Sequence, residues 1–400
     1  MFIKDLLLTL KESGVMFLLF CVVLFTCTFE VNVYLLVLFC LLVFVFCQFI
    51  KHFDRTSLWL ILFSISYSSI VVVSKQTNSY FDCIGYLIAP ISFYCFGKYM
   101  GENNKTEEHL LILLFLVILI YPLNLYIGGI RDIIDFGIVN PNRSLYLLGR
   151  GDDASATLYG LNLTLGFVGF TTFFAIKRSL KSILAWFFLS IAILSVIINL
   201  HLLNRTGLVV ALICVLIVTA FLSKNNWWRF VAIISILALV VYLLFKEGII
   251  SDEIIEGYER RNQDVEKLKT GNDRTNRWIM ALKYMFMYPL GWSQNLMAYN
   301  KYVHNLWLDI ARVAGIIPFT CFFVATLRSL KYPIKMFGWK PNATTATLIG
   351  LNVCFIFSSI AEPVMEGFPI HMYLFCFIWG VQKSYFNKKT QNVYEVKEAV

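Results

Sequence analysis

The sequence predicts an all-α, polytopic membrane protein, and three observations predict it. Only 15% of its 400 residues are charged, where a soluble domain carries about 25%. Apolar residues make up 58%, mean hydropathy is +0.71, and they fall in blocks of roughly 17–25 residues, the length that crosses a bilayer. Lysine and arginine then recur in alternate connections between the blocks, as topology requires. Lipid offers no partner to backbone amides, so repeated apolar blocks mean helices. A β-barrel would show short alternating segments instead.

The blocks predict about twelve spans: 14–29, 31–50, 57–74, 82–98, 109–128, 155–176, 182–202, 206–223, 229–246, 304–326, 343–361 and 370–385. The block at 82–98 is the most polar and contains Pro90. The block at 206–223 is short but dense in Leu, Val and Ile. No cleavable signal is evident, because the first block lacks a small-residue cleavage site. The chain reads as a single integral membrane domain, 1–400.

Charge orients the spans. With Lys4 and Lys11 inside, the even-numbered connections are cytoplasmic and carry Lys51 and Arg55, Lys98 and Lys105, Lys177, Arg178 and Lys181, Lys224 and Arg229, and Arg328, Lys331, Lys335 and Lys340. The C-terminal tail adds Lys383, Lys388, Lys389 and Lys397. The short outer connections are nearly bare. An even number of spans, with both termini cytoplasmic, satisfies the positive-inside rule. The net charge of +9 is therefore topological and does not point to nucleic acid.

Two outer connections are long, 129–154 and 247–303. The second begins with a charged stretch, Ser251–Thr270, and continues as an amphipathic helical pattern from Asn272 to Tyr288. Pro289-Leu290-Gly291-Trp292 ends that pattern. Long loops in compact proteins are mostly functional or disordered, and the amphipathic part argues for order. The ten cysteines lie in or beside apolar blocks without metal-ligand spacing. They read as small buried hydrophobes.

Basic residues sort by side. Lysine dominates the cytoplasmic set. Arginine dominates elsewhere, as Arg131, Arg143, Arg150, Arg205, Arg260, Arg261, Arg274, Arg277 and Arg312. A guanidinium offers a planar fork to phosphate or carboxylate. The plainer reading pairs these arginines with nearby acids, and it suits Arg260 and Arg261 beside Glu256 and Glu259. Arg205 lies in a very short turn between two apolar spans, where a charge must be paired, face a cavity or snorkel. Arg274 and Arg277 are three apart on one helix face. With Arg205 they could clamp a diphosphate; alone they could be a solvated face. His304 opens the span at 304–326 near the outer interface, where an imidazole can serve as a general base or simply pack. Asp309 and Arg312, three apart, can neutralise each other. Asp152-Asp153 is too weak a signal for a metal site, and no metal or cofactor is expected.

These segments carry a resemblance. Val303-His304-Asn305-Leu306-Trp307-Leu308, followed by Ala314-Gly315-Ile316-Ile317, resembles the His-Asn segment of the O-antigen polymerase and ligase superfamily. Asn204-Arg205-Thr206-Gly207 is similar to that family's Ser/Thr-Arg-x-Gly turn. Arg274 to Trp292 is similar to its stretch ending in Pro-Leu-x-Gly. All three stand in the family's order between Arg205 and Pro318. The resemblance implies the fold of a polytopic C-type glycosyltransferase in the bacterial inner membrane. It implies a metal-independent enzyme that takes a glycan from undecaprenyl diphosphate at the periplasmic face. Arg205, Arg274 and Arg277 would hold the diphosphate, with Arg143 and Arg150 as further candidates, and His304 would deprotonate the acceptor hydroxyl. Expected partners are the undecaprenyl-diphosphate-linked oligosaccharide, the bilayer and a chain-length regulator, with no nucleic acid. A polymerase is the leading reading and a ligase to lipid A–core the next. A lipid-linked sugar flippase or secondary transporter is the rival of another class. It would require ionisable residues at span midpoints, and few spans have them.

Overall fold

The computed structural model describes residues 2–26, 33–47, 49–74, 80–104, 106–137, 144–145, 147, 154–155, 160, 162–175, 183–223, 228, 231, 235, 256–257, 259, 274–293, 303–362, 364 and 368–398. In chain order the helices are α1 (Phe2–Thr26), α2 (Val33–Phe46), α3 (Arg55–Val73), α4 (Tyr80–Asn103), α5 (Glu107–Ile120), α6 (Leu123–Phe136), α7 (Leu165–Ala175), α8 (Ile183–His201), α9 (Arg205–Leu222), α10 (Arg274–Met287), α11 (Leu306–Ala314), α12 (Ile316–Phe337), α13 (Ala343–Ala361) and α14 (Pro369–Glu398). One antiparallel pair of two-residue strands, β1 (Ser144–Leu145) and β2 (Ala154–Ser155), is the exception among the described residues. Among the described residues, four stretches are long and apolar enough to cross a membrane: Arg55–Val73, Glu107–Phe136, Arg205–Leu222 and Ala343–Ala361.

Helix occupies most of the described apolar blocks, and the one at 109–128 is divided at Tyr121–Pro122 between α5 and α6. The block at 229–246 lies almost wholly outside the described residues. In the block expected from 155, Ala154–Ser155 is a strand, Gly160 is helical, Asn162–Thr164 forms a short 3-10 turn and α7 runs from Leu165. The span expected at 304–326 is broken in two at Gly315 and runs on to Phe337. Gly315 has φ +83°, and a Cβ there would collide with the Pro289 carbonyl oxygen. That conformation and that proximity both demand glycine.

The chain divides into two compact units, one of Met1–Val117, Arg274–Trp339 and Ser359–Val400, the other of Ile118–Asp273 and Lys340–Ser358. In the first, α4 packs along α14, α3 and α2, and α12 packs on α3 and α11. Small residues let the α4–α14 backbones approach closely. A Cβ on Gly97 would strike the Phe377 carbonyl, and one on Gly380 the Tyr94 carbonyl. Phe20 fills the space beside that seam, 4.6 Å from Phe377 and 5.1 Å from Phe96 between ring centroids. In the second, α7 packs on α8 and α9, and α6 on α8. Tyr126 and Ser195 share a buried hydrogen bond of 3.0 Å. The described cysteines are free, and all but the partly exposed Cys21 are buried, as small hydrophobes should be.

Asp54 caps α3, accepting from the amides of Thr56 and Ser57 at 2.7 and 3.1 Å. The same carboxylate takes Lys383 at 2.7 Å, Lys98 at 2.9 Å and the Tyr94 hydroxyl at 3.0 Å. Burial pushes this carboxyl up, but the bond from Lys383 and the attraction of both lysines outweigh it and hold it at about 2. A folded-state value below the ordinary 3.8 means that its stabilisation is complete above that value. It is lost as pH falls through about 2. Removing one member of a buried ion pair costs about 3 kcal/mol, so Asp54→Asn should lower the melting temperature of the purified protein at neutral pH. An unchanged melt would show that the two lysines do not depend on this carboxylate.

Candidate functional site

The site is assembled around the entry to α11. All nine residues of α11, Leu306 to Ala314, are buried, including the charged pair Asp309 and Arg312 at 3.2 Å. One oxygen of Asp309 also accepts the Val303 amide at 2.9 Å, and the other accepts the Asn305 amide at 3.2 Å. The Asn305 side chain caps the helix by accepting the Leu308 amide at 3.2 Å. The backbone on either side of His304 is thereby held. His304 itself takes a left-handed conformation, φ +56°, which histidine tolerates better than most residues.

α10 supports this entry from the side. Trp278 donates from Nε1 to the Val303 carbonyl at 3.1 Å. Ala281 and Met285 pack with Trp292, Val303, Leu308 and Ala311 in one buried cluster. The turn after α10 closes on the end of α11, where the amides of Trp292 and Ser293 donate to the Arg312 carbonyl at 2.9 and 3.1 Å. The Ile316 amide donates to the Pro289 carbonyl at 3.0 Å. Of the helix and turn expected from Asn272 to Trp292, the part from Arg274 is described, and it packs against the entry to α11 beside His304.

The sequence reading missed Glu362, which follows directly on α13. Its carboxylate is 2% exposed and bridges two candidates: Oε2 lies 3.1 Å from His304 Nδ1 and Oε1 3.2 Å from Arg274 Nη2. His304 is 28% exposed and Arg274 42%, so the acid is hidden and its partners face outward. An acid at the end of an apolar block, as in Ala361-Glu362, is the signal that could have found it.

Arg277 lies three residues along α10 from Arg274, partly buried. Arg205 is the first residue of α9 in the second unit, also partly buried, behind an N-cap supplied by Asn204, whose side chain accepts the Gly207 amide at 3.3 Å. Asparagine thus fills a position that serine or threonine fill equally well. Asn204 is itself held by Asn199 at 3.0 Å. Arg143, Arg150, Arg260, Arg261 and Asp152-Asp153 lie outside the described residues. His201 and His371, at the ends of two other helices, are buried.

No curated protein matches this chain. Residues 190–323 match the family model described as O-antigen ligase, a region that contains Arg205, Arg274, Arg277 and His304 and extends through α11 into α12. That match is consistent with the resemblance of this region to the O-antigen polymerase and ligase superfamily.

Proposed function

We propose that this protein is a surface-polysaccharide (O-antigen) polymerase of the bacterial inner membrane. It has about twelve spans, both termini in the cytoplasm and the region 247–303 in the periplasm. It transfers a glycan from undecaprenyl diphosphate to an acceptor sugar hydroxyl, without a metal. The observation that carries the reading is the His304–Glu362–Arg274 grouping, which puts an accessible imidazole and a guanidinium on one buried carboxylate.

The acceptor hydroxyl gives its proton to His304 Nε2 as its oxygen bonds to the anomeric carbon of the donor. The carbon–oxygen bond to the diphosphate breaks, and the electron pair leaves with the lipid diphosphate. Glu362 accepts the Nδ1 hydrogen, which fixes the tautomer with Nε2 free and stabilises the imidazolium that forms. Arg274 gives one nitrogen to Glu362 and keeps others for phosphate. Arg205 and Arg277, with Arg143 and Arg150 from the earlier loop, complete the charge that a metal would otherwise supply. The bilayer delivers the lipid-linked donor, and a chain-length regulator is a natural further partner.

A ligase to lipid A–core uses the same chemistry, and the description of the matching family, O-antigen ligase, favours it as the second reading. A lipopolysaccharide gel from a strain lacking the gene separates the two. Core bearing a single repeat without a ladder means a polymerase. Bare core, with long glycan retained on the carrier, means a ligase. An unchanged gel would overturn both.

Transfer activity is expected to fall about 10²–10⁴-fold in His304→Asn, the contribution of a general base, and nearly as far in Glu362→Gln with little change in KM. Full activity in either variant would remove that residue from the mechanism. Arg205→Lys keeps the charge but loses the fork. It should lower turnover at least tenfold, a factor that about 1.4 kcal/mol of lost transition-state binding produces. Wild-type turnover would exclude Arg205 from the diphosphate site.

A further inference from the structure

Charges around Asp54 do not balance. Its carboxylate is met by Lys98 and Lys383, and Arg55 follows it as the first residue of α3. α12, packed on α3, brings Arg328, Lys331 and Lys335, which recur at intervals of three and four and so share a face. Lys331 is within electrostatic reach of Arg328, Lys335, Arg55 and Asp54. Among the described residues, Glu102 pairs with His52 at 3.2 Å and also attracts Lys98, and Glu107 pairs with Lys389 at 2.9 Å. The Nε of Arg328 is buried and has no hydrogen-bond partner among the described residues.

Orientation of the chain in a membrane does not require this arrangement. Topogenic lysines need only remain solvated on the inner side, whereas Lys98 is buried and Lys383 nearly so. Two further features indicate what meets the surplus charge. Phe323 and Leu327 are exposed on α12 and lie on the line that leads, four residues at a time, to Lys331. Aromatic rings flank the cations: Lys331 stands 4.8 Å above Tyr332 and Lys335 5.9 Å above Phe386, and Trp339 stacks on Phe386 at 5.1 Å. Free phosphate would use the cations alone. An anionic phospholipid uses the cations for its headgroup and the apolar line for its acyl chains.

We propose that an anionic phospholipid of the cytoplasmic leaflet binds here, its phosphodiester on Arg328, Lys331 and Lys335 and its chains along Leu327 and Phe323. The site is independent of the transfer chemistry on the other face. The test is native mass spectrometry of the full-length protein in detergent with phosphatidylglycerol or phosphatidylcholine of identical chains. Wild type should retain phosphatidylglycerol preferentially. Each basic residue near an anionic headgroup contributes roughly fivefold, so Arg328→Gln with Lys331→Gln should weaken retention about thirtyfold, and the exposed Lys335→Gln alone about fivefold. Lys340→Gln removes a neighbouring inner lysine outside the site and should change nothing. The proposal fails if the Arg328/Lys331 and Lys335 variants bind as wild type does. It fails equally if Lys340→Gln is as damaging as Lys335→Gln, which would mark diffuse charge. Displacement of phosphatidylglycerol by millimolar inorganic phosphate would also overturn it, by making this a free-anion site.

Discussion

Asp309 has no exposed surface, and a carboxylate so placed must find donors for both oxygens or cost several kcal/mol. It finds them in Arg312 and in the amides of Val303 and Asn305. Those amides bracket His304, so satisfying a buried charge and placing the imidazole are one requirement. Arg312 serves in turn through its carbonyl, which receives the turn that follows α10. The helix carrying Arg274 and Arg277, the turn and the histidine are thereby tied to a single buried ion pair.

Glu362 works differently. It joins residues from three separate parts of the chain, and its two oxygens serve two different groups. In a site of low dielectric such bonds are stronger than in water, and leaving any member unpaired is correspondingly expensive. Asp54 shows the same economy at the head of α3, where one carboxylate caps a helix and holds two lysines. In each place a solitary acid organises several donors, which suits a chain with so few charges to spend.

Hydropathy made the helices legible, because lipid-compatible blocks leave no other regular structure available. It did not reveal the break at Gly315, since the apolar run continues across it. The break depends on a carbonyl at Pro289, a contact between distant parts of the sequence. The strand at Ala154–Ser155 escaped as well, because apolar length does not distinguish helix from strand at a block's edge. At the site, the helix at 274–287 and the pairing of Asp309 with Arg312 could be read from spacing. Glu362 could not be paired with His304, 58 residues away, because nothing local signals that contact.

The left-handed backbone of His304 restricts how the gene can drift. One nucleotide change carries a histidine codon to asparagine, aspartate, tyrosine, leucine, proline, arginine or glutamine. Of these only asparagine and aspartate settle readily at positive φ. Most single steps away from histidine therefore disturb the peptide bonds that Asp309 holds as well as removing the ring. The position is guarded twice, once by what the imidazole can do and once by the shape of the chain beneath it.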